Sequence, residues 1–142
     1  MKRSEQKLLF FMKLARVEAQ ISRCFDRSSG MFGWSGFQLL HHLNSAPEQR
    51  MRRIDLADKL ALTASGVTRM LLPMEKLGLV EREACEGDAR VSYVKLTSAG
   101  RRHLCECAED VELTADELLL SDKDGRDPME FFAMFPVGKL TA

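Results

Sequence analysis

One stretch of the sequence places hydroxyl and guanidinium side chains at helical spacing. Ser65, Thr68 and Arg69 occupy positions i, i+3 and i+4, so an α-helix would carry all three on one face. Short hydroxyls can bond to phosphates or base edges, and an arginine fork matches O6 and N7 of guanine. An amphipathic helix with an ordinary solvated face has the same composition, so the residues around this stretch must decide between the two interpretations.

A second cation lies in a Gly/Asp-rich turn that spans Glu86 to Arg90. Arg90 follows Asp88 by two residues, a distance at which the carboxylate could hold the guanidinium in one orientation. An arginine at a loop tip is attracted by the negative potential of a narrow, A·T-rich minor groove. The alternative is a surface salt bridge, which contributes little stability.

The three side chains belong to a predicted helix from Ala64 to Leu77, capped by Thr63 and ended by Gly78, a residue suited to a left-handed turn. Its inner stripe is Val67, Met70, Leu71, Met74 and Leu77. Its outer face carries Ser65, Thr68, Arg69, Leu72, Glu75 and Lys76. Pro73 lies inside the helix, cannot donate to the Arg69 carbonyl, and is expected to bend the last turn.

The segments before this helix predict three more helices. The first runs from Ser4 to about Arg27, and its first turns are apolar on nearly every side, so it needs cover from more than one direction. A capping box at Ser35–Gln38 opens the second helix. The third spans Arg53–Ala61 and is expected to bury Ile54, Leu56, Ala57 and Leu60.

The segments after it predict a hairpin and two helices. Strands at Val80–Ala84 and Val91–Leu96 flank the turn, and Thr97 caps a long helix. The inner stripe of that helix is predicted as Leu104, Ala108, Val111, Ala115 and Leu118. A capping box at Asp127–Glu130 then opens a short helix with Phe131, Phe132 and Phe135.

The order of these elements, and the residues in them, resemble the MarR-type winged helix-turn-helix regulators. The resemblance lies in Leu62–Met70, Glu75–Val80, Gly87–Arg90 and Val94–Gly100. It implies a mainly α fold with a small β-hairpin wing. The winged helix-turn-helix would span about residues 35–97, and dimerisation helices would occupy about residues 4–28 and 98–142 of a single domain.

The resemblance also implies a function, a transcriptional regulator that binds a pseudo-palindromic operator as a homodimer and is released by a small aromatic or phenolic effector. It implies that Ser65, Thr68 and Arg69 enter the major groove and Arg90 the minor groove. The predicted DNA-binding residues are Thr63, Ser65, Thr68, Arg69, Lys76, Asp88 and Arg90. Repression is the expected mode of action. The interruption at Ser121–Arg126 leaves the geometry of the dimer open.

Charge distribution and composition favour a DNA-binding protein over a membrane or a secreted protein. Residues 50–103 carry a net charge of +4, whereas residues 104–142 carry −7, as a phosphate-facing surface beside a non-binding scaffold would. No apolar run is long enough for a membrane span, and charged residues interrupt the start of the chain, so neither a membrane partner nor a signal peptide is expected. The four cysteines form no C-x-x-C pair and indicate reduced thiols in a cytoplasm.

The sequence contains no motif that indicates an enzyme or a metal-binding protein. The sequence has no phosphate-binding loop, G-x-S-x-G or H-E-x-x-H, so no catalytic residue and no cofactor is predicted. His103 and Cys107 share a helix face, but Cys105 points elsewhere, and no metal site is predicted. Two alternatives stay open: a winged-helix module that binds a protein partner, and a regulator that responds to redox state, for instance through Cys24, or to a metal.

Overall fold

The computed structural model of the chain describes residues 1–28 and 31–119. Within these ranges the fold is mainly helical, with one small antiparallel sheet, as the sequence predicted. The elements in chain order are α1 (Arg3–Ser28), α2 (Gly33–Ser45), a 3-10 turn (Pro47–Gln49), β1 (Arg50–Arg52), α3 (Arg53–Leu60), α4 (Ala64–Lys76), β2 (Val80–Cys85), β3 (Asp88–Leu96) and α5 (Ser98–Leu118).

The sheet has three strands in the order β1-β3-β2, all antiparallel. The hairpin of β2 and β3 was predicted, but β1 was not, because three residues are too short to show a period of two. β1 pairs Arg50 with Lys95 and Arg52 with Tyr93. It therefore ties the start of α3 to the base of the hairpin.

One hydrophobic core joins α2, α3, α4, the sheet and the start of α5. Its largest fully buried side chains are Leu39, Leu40, Leu43, Leu56, Val67, Leu71, Met74, Val80, Val94 and Leu96. α4 contributes one residue per turn to this core, as its predicted stripe requires. Its opposite face is left for solvent or a partner.

Capping fixes where α4 and α5 begin. The Thr63 hydroxyl accepts a hydrogen bond from the Gly66 N–H, and Thr97 accepts one from Gly100, each at 3.1 Å. Gly78 has a φ of 72°, the left-handed conformation predicted for the residue after α4. Both caps therefore lie where the sequence placed them.

Several local predictions were wrong. Ser35 does not cap α2, which begins two residues earlier at Gly33, where a φ of 63° turns the chain into the helix. Ile54 and Leu77 are 60% and 52% exposed rather than buried. In α5 Leu104 is buried as predicted, but Ala108 is exposed and Cys107 and Thr114 are buried instead.

Pro73 does not end α4, which continues to Lys76. The interruption at Ser121–Arg126 and the predicted helix with Phe131, Phe132 and Phe135 lie outside the described residues. None of the described helices combines the length and the apolar character that crossing a membrane would require.

Candidate nucleic-acid interface

A groove of about 410 Å³ separates α4 from the hairpin. Its lining comes from the starts of α3 and α4 and from β3: Arg52, Arg53, Ile54, Ala64, Ser65, Thr68, Arg90, Val91 and Ser92. Three of the seven predicted DNA-binding residues therefore border one groove. Three arginines stand around it, and Ile54 is exposed because it forms part of the groove wall.

The N-terminal turn of α4 presents two hydroxyls. Ser65 is exposed, and its Oγ lies 3.2 Å from Oγ1 of Thr63. The backbone N–H groups of this turn have no partner within the helix beyond the cap, which is the arrangement that favours a phosphate. Thr63 thus organises the turn, while Ser65 is open to a ligand.

Thr68 is half-buried and already bonded. Its hydroxyl donates to the Ala64 carbonyl and accepts from Nη1 of Arg53, both at 3.1 Å. Arg53 was not among the predicted site residues. The run Arg50-Met51-Arg52-Arg53, with three arginines in four residues, was the signal that could have identified it.

Arg69 and Lys76 are exposed but do not line the groove. Arg69 follows Thr68 on the outer face of α4, within the N-terminal half of the helix. Lys76 is the last residue of α4, about 16 Å of helix rise from Ser65. The structure therefore does not bring Lys76 together with the rest of the predicted set.

The wing turns at Glu86-Gly87, where Gly87 has a φ of 101°. Arg90 is 94% exposed, and its Nε lies 3.5 Å from Oδ1 of Asp88. The same carboxylate accepts the backbone N–H of Arg90 at 3.0 Å. Asp88 therefore holds the backbone of the wing more firmly than it holds the guanidinium.

Both arginines of β1 are paired with carboxylates. Arg52 makes two bonds to Asp55, at 2.9 and 3.2 Å. Arg50 pairs with Glu48 at 2.7 Å and with Glu83, and its guanidinium lies 4.7 Å from the centroid of the Tyr93 ring. Their charges are largely neutralised by these partners.

His103, Cys105 and Cys107 form no metal site among the described residues. Within residues 1–28 and 31–119, no three potential ligands cluster. Nε2 of His103 lies 3.7 Å from Sγ of Cys107. Burial raises the pKa of the Cys107 thiol, with Asp110 and Glu106 adding to the shift, which favours the unreactive protonated form. The Cys24 thiol lies 3.8 Å from a carboxylate oxygen of Glu117.

A separate apolar cavity of about 190 Å³ lies between α1, α2 and α5. It is lined by Val17, Ile21, Phe25, Trp34, Val111, Thr114, Ala115, Leu118 and Leu119. Trp34 stacks on Phe37 and contacts Phe25, so aromatic rings form one side of the cavity. Apart from the Thr114 hydroxyl and the Trp34 indole N–H, its side chains are apolar.

Comparison with known proteins gives a partial match to a family model and a shared fold. Residues 34–92 match the model of the MarR family. The matched segment runs from the start of α2 into β3, so it includes α3, α4 and the wing tip.

Solved structures of several DNA-binding proteins have the same fold as this chain. Sco3205, a MarR family transcriptional regulator from Streptomyces coelicolor in complex with DNA, is 23% identical over 99% of this chain and 87% of that chain, with a TM-score of 0.77. A cysteine-to-serine mutant of MarR from E. coli, complexed with operator DNA, is 19% identical over 99% of both chains, with a TM-score of 0.71. BpsR from Bordetella bronchiseptica, whose DNA binding is regulated by 6-hydroxynicotinic acid, is 18% identical over 94% of this chain and 99% of that chain, with a TM-score of 0.73.

Proposed function

We propose that this chain, whose residues 34–92 match the MarR family model, is a transcriptional regulator that binds double-stranded DNA. The observation that carries the proposal is the groove between α4 and the wing, which Ser65, Thr68 and Arg90 border together. A recognition helix and a basic wing on one side of the molecule match the two grooves of a DNA duplex. Sco3205 and MarR, which share the fold, have been solved with DNA.

In this proposal α4 enters the major groove. The N-terminal turn, with Thr63 and Ser65, faces a phosphate or a base edge, and Arg69 reaches a base from the adjacent turn. Arg90 enters the neighbouring minor groove, positioned by the contact of Asp88 with its backbone. Lys76, at the far end of α4, would contact the backbone of the DNA beyond the bases.

The active species is proposed to be a homodimer on a pseudo-palindromic operator, because two-fold symmetry would place two recognition helices about one DNA turn apart. α1 supports this proposal. Leu8, Phe11 and Met12 are each about 60% exposed, which leaves a row of large apolar side chains on one helix without cover from the described part of its own chain.

We propose that the chain represses transcription and that a small aromatic or phenolic effector releases it from the operator. The apolar cavity between α1, α2 and α5 supports the effector, because it has an aromatic wall and the size of a small ring compound. The DNA binding of BpsR, a protein of the same fold, is regulated by an aromatic compound of this kind, 6-hydroxynicotinic acid. α1 and α5 line the cavity, so a ligand there would act on the helices that are proposed to join the two subunits.

A wing that binds a protein partner is the competing function. The exposure of Arg90 favours DNA over a protein as the partner of the wing. The guanidinium lies at the tip of the hairpin and makes one long ion pair, so it is available to a phosphate or a minor groove.

The test is fluorescence anisotropy of the chain with fragments of its own upstream region and with a shuffled fragment, over a range of salt concentrations. We expect tight binding to one upstream fragment, weaker binding to the shuffled one, and a steep loss of affinity with salt. The absence of any DNA binding, or identical affinity for all fragments, would contradict the proposed function.

A further inference from the structure

We infer that Thr68 acts on DNA through Arg53, which it positions as a phosphate-binding group, and does not itself read a base. This inference rests on the proposed function, since it assigns roles within the same groove. It narrows the prediction that the Thr68 hydroxyl bonds to a phosphate or a base edge, and it adds Arg53 to the interface.

The hydroxyl of Thr68 has little capacity left for a base. It has one hydrogen, and that hydrogen points to the Ala64 carbonyl at 3.1 Å. Of its two lone pairs, one accepts from Nη1 of Arg53 at 3.1 Å. Ser65, by contrast, is exposed one helical turn earlier.

Arg53 has most of its capacity free. A guanidinium has five N–H donors, and Thr68 takes one of them. Within the described part of the chain, no carboxylate lies within ion-pair distance of Arg53, whereas its neighbour Arg52 makes two bonds to Asp55. Arg53 therefore brings an unneutralised charge, fixed in orientation by Thr68, to the wall of the groove.

The position of Arg53 identifies phosphate as the group it meets. If α4 lies in the major groove and Arg90 in the adjacent minor groove, the sugar–phosphate strand that separates the two grooves must pass between them. The side chains found between them are those that line the groove, Arg53 among them. A phosphate on that strand matches the fork geometry of the remaining guanidinium donors.

The experiment compares Thr68→Val, Arg53→Gln and the double variant with the parent chain, on the best upstream fragment and on versions with each base pair changed. We expect each single variant to weaken binding by about tenfold, by the same factor on every version, because the charge-assisted bond to the DNA backbone is weakened or removed. The slope of log affinity against log salt should fall by about 0.9 for each phosphate that is no longer bound. The double variant should bind like Arg53→Gln alone, because Thr68 acts only through Arg53.

Two further variants serve as controls. Thr68→Ser keeps the hydroxyl and should keep the salt slope of the parent. Arg16→Gln removes the same charge from α1, away from the groove, and should leave the slope unchanged. Thermal unfolding of each variant measures its folding, and if Thr68→Val does not fold, Arg53→Lys carries the test, because lysine keeps the charge but lacks the fork.

Either of two results would overturn the inference: an altered preference at one base pair in Thr68→Val, or a parental salt slope in Arg53→Gln. Failure of the parent chain itself to bind DNA would instead contradict the proposed function. The two failures are therefore distinguishable.

Discussion

The arginines around the groove differ in how much of their charge is available to a ligand. Arg52 is bonded twice to Asp55, while Arg90 is almost fully exposed and contacts Asp88 only at 3.5 Å. A paired guanidinium must give up part of its existing bond before it can bind DNA, whereas an exposed one needs only to lose water. Arg90 should therefore contribute more to binding than Arg52 does.

Replacing Arg90 with Ala should weaken operator binding most strongly where the flanks are A·T-rich. The narrow minor groove of such flanks concentrates negative potential, and that contribution disappears with the guanidinium. The measurement is the affinity for operators that differ only in their flanks. An equal loss on A·T-rich and G·C-rich flanks would contradict insertion into the minor groove.

Arg69→Ala is the matched variant, since it removes the same charge from α4. It should relax base preference at one position in each half-site, at a cost of about 1–3 kcal/mol, because Arg69 is proposed to bind a base edge. If Arg69→Ala lowers the affinity for all operator versions by the same factor, Arg69 contacts only the sugar–phosphate backbone of the DNA.

Cys107 and Cys105 should differ in reactivity. Cys107 is 6% exposed and the pKa of its thiol is raised by burial and by Asp110 and Glu106, so little thiolate is present at neutral pH. We expect iodoacetamide to alkylate the exposed Cys105 first at pH 7, and the rate at Cys107 to rise with pH as its thiol ionises. Mass spectrometry of the folded chain over time measures both. Faster labelling of Cys107 than of Cys105 at pH 7 would contradict this prediction.

Among the helices and strands, the junction between the sheet and α5 is held by several hydrogen bonds and a close backbone contact. Thr97 caps α5, and its N–H donates to the Leu79 carbonyl at 3.1 Å. Its hydroxyl lies within donating distance of two carbonyl oxygens, that of Gly78 at 2.5 Å and that of Leu79 at 2.9 Å. Gly100 packs against the Leu79 carbonyl, and a Cβ at this glycine would lie 2.2 Å from the Leu79 oxygen. The start of α5 and the first strand of the wing are therefore held as one unit.

Gly100→Ala should destabilise the fold by about 1–3 kcal/mol, because the added methyl group overlaps a backbone atom that cannot move without breaking the cap. Urea denaturation measures the change. Arg102→Ala, at an exposed position two residues after Gly100, is the control and should change stability much less. An unchanged urea midpoint for Gly100→Ala would show that the junction between the sheet and α5 accommodates the added methyl group.

Charge and apolar surface are distributed unevenly over the chain as a whole. The basic groove and wing lie in the segment of net charge +4, whereas the exposed apolar row of Leu8, Phe11 and Met12 lies on α1. A surface for an anionic ligand and a surface for an apolar partner are thus carried by different elements. This separation would allow one chain to bind DNA and a second copy simultaneously.

Phe11→Glu should convert the proposed dimer to a monomer, because a carboxylate in an apolar interface loses its hydration without gaining a partner. Light scattering at micromolar concentration measures the mass, and operator affinity should fall with it. Asn44→Glu, at an exposed position at the end of α2, adds the same charge and should leave the mass unchanged. A parent chain that is already monomeric under these conditions would contradict the dimer.

Residue order alone was enough to predict α4, its cap at Thr63, the left-handed Gly78 and the hairpin, since each depends on residues a few positions apart. It did not reveal β1, whose three residues pair with β3 more than forty positions later. It also predicted that the Thr68 hydroxyl is open to a phosphate or a base edge, because a period of 3.6 places that residue outward and says nothing of what lies beside it. The bond to Arg53 forms only when α3 packs against α4, so the partner of Thr68 depends on the three-dimensional packing of two helices and not on spacing along either one.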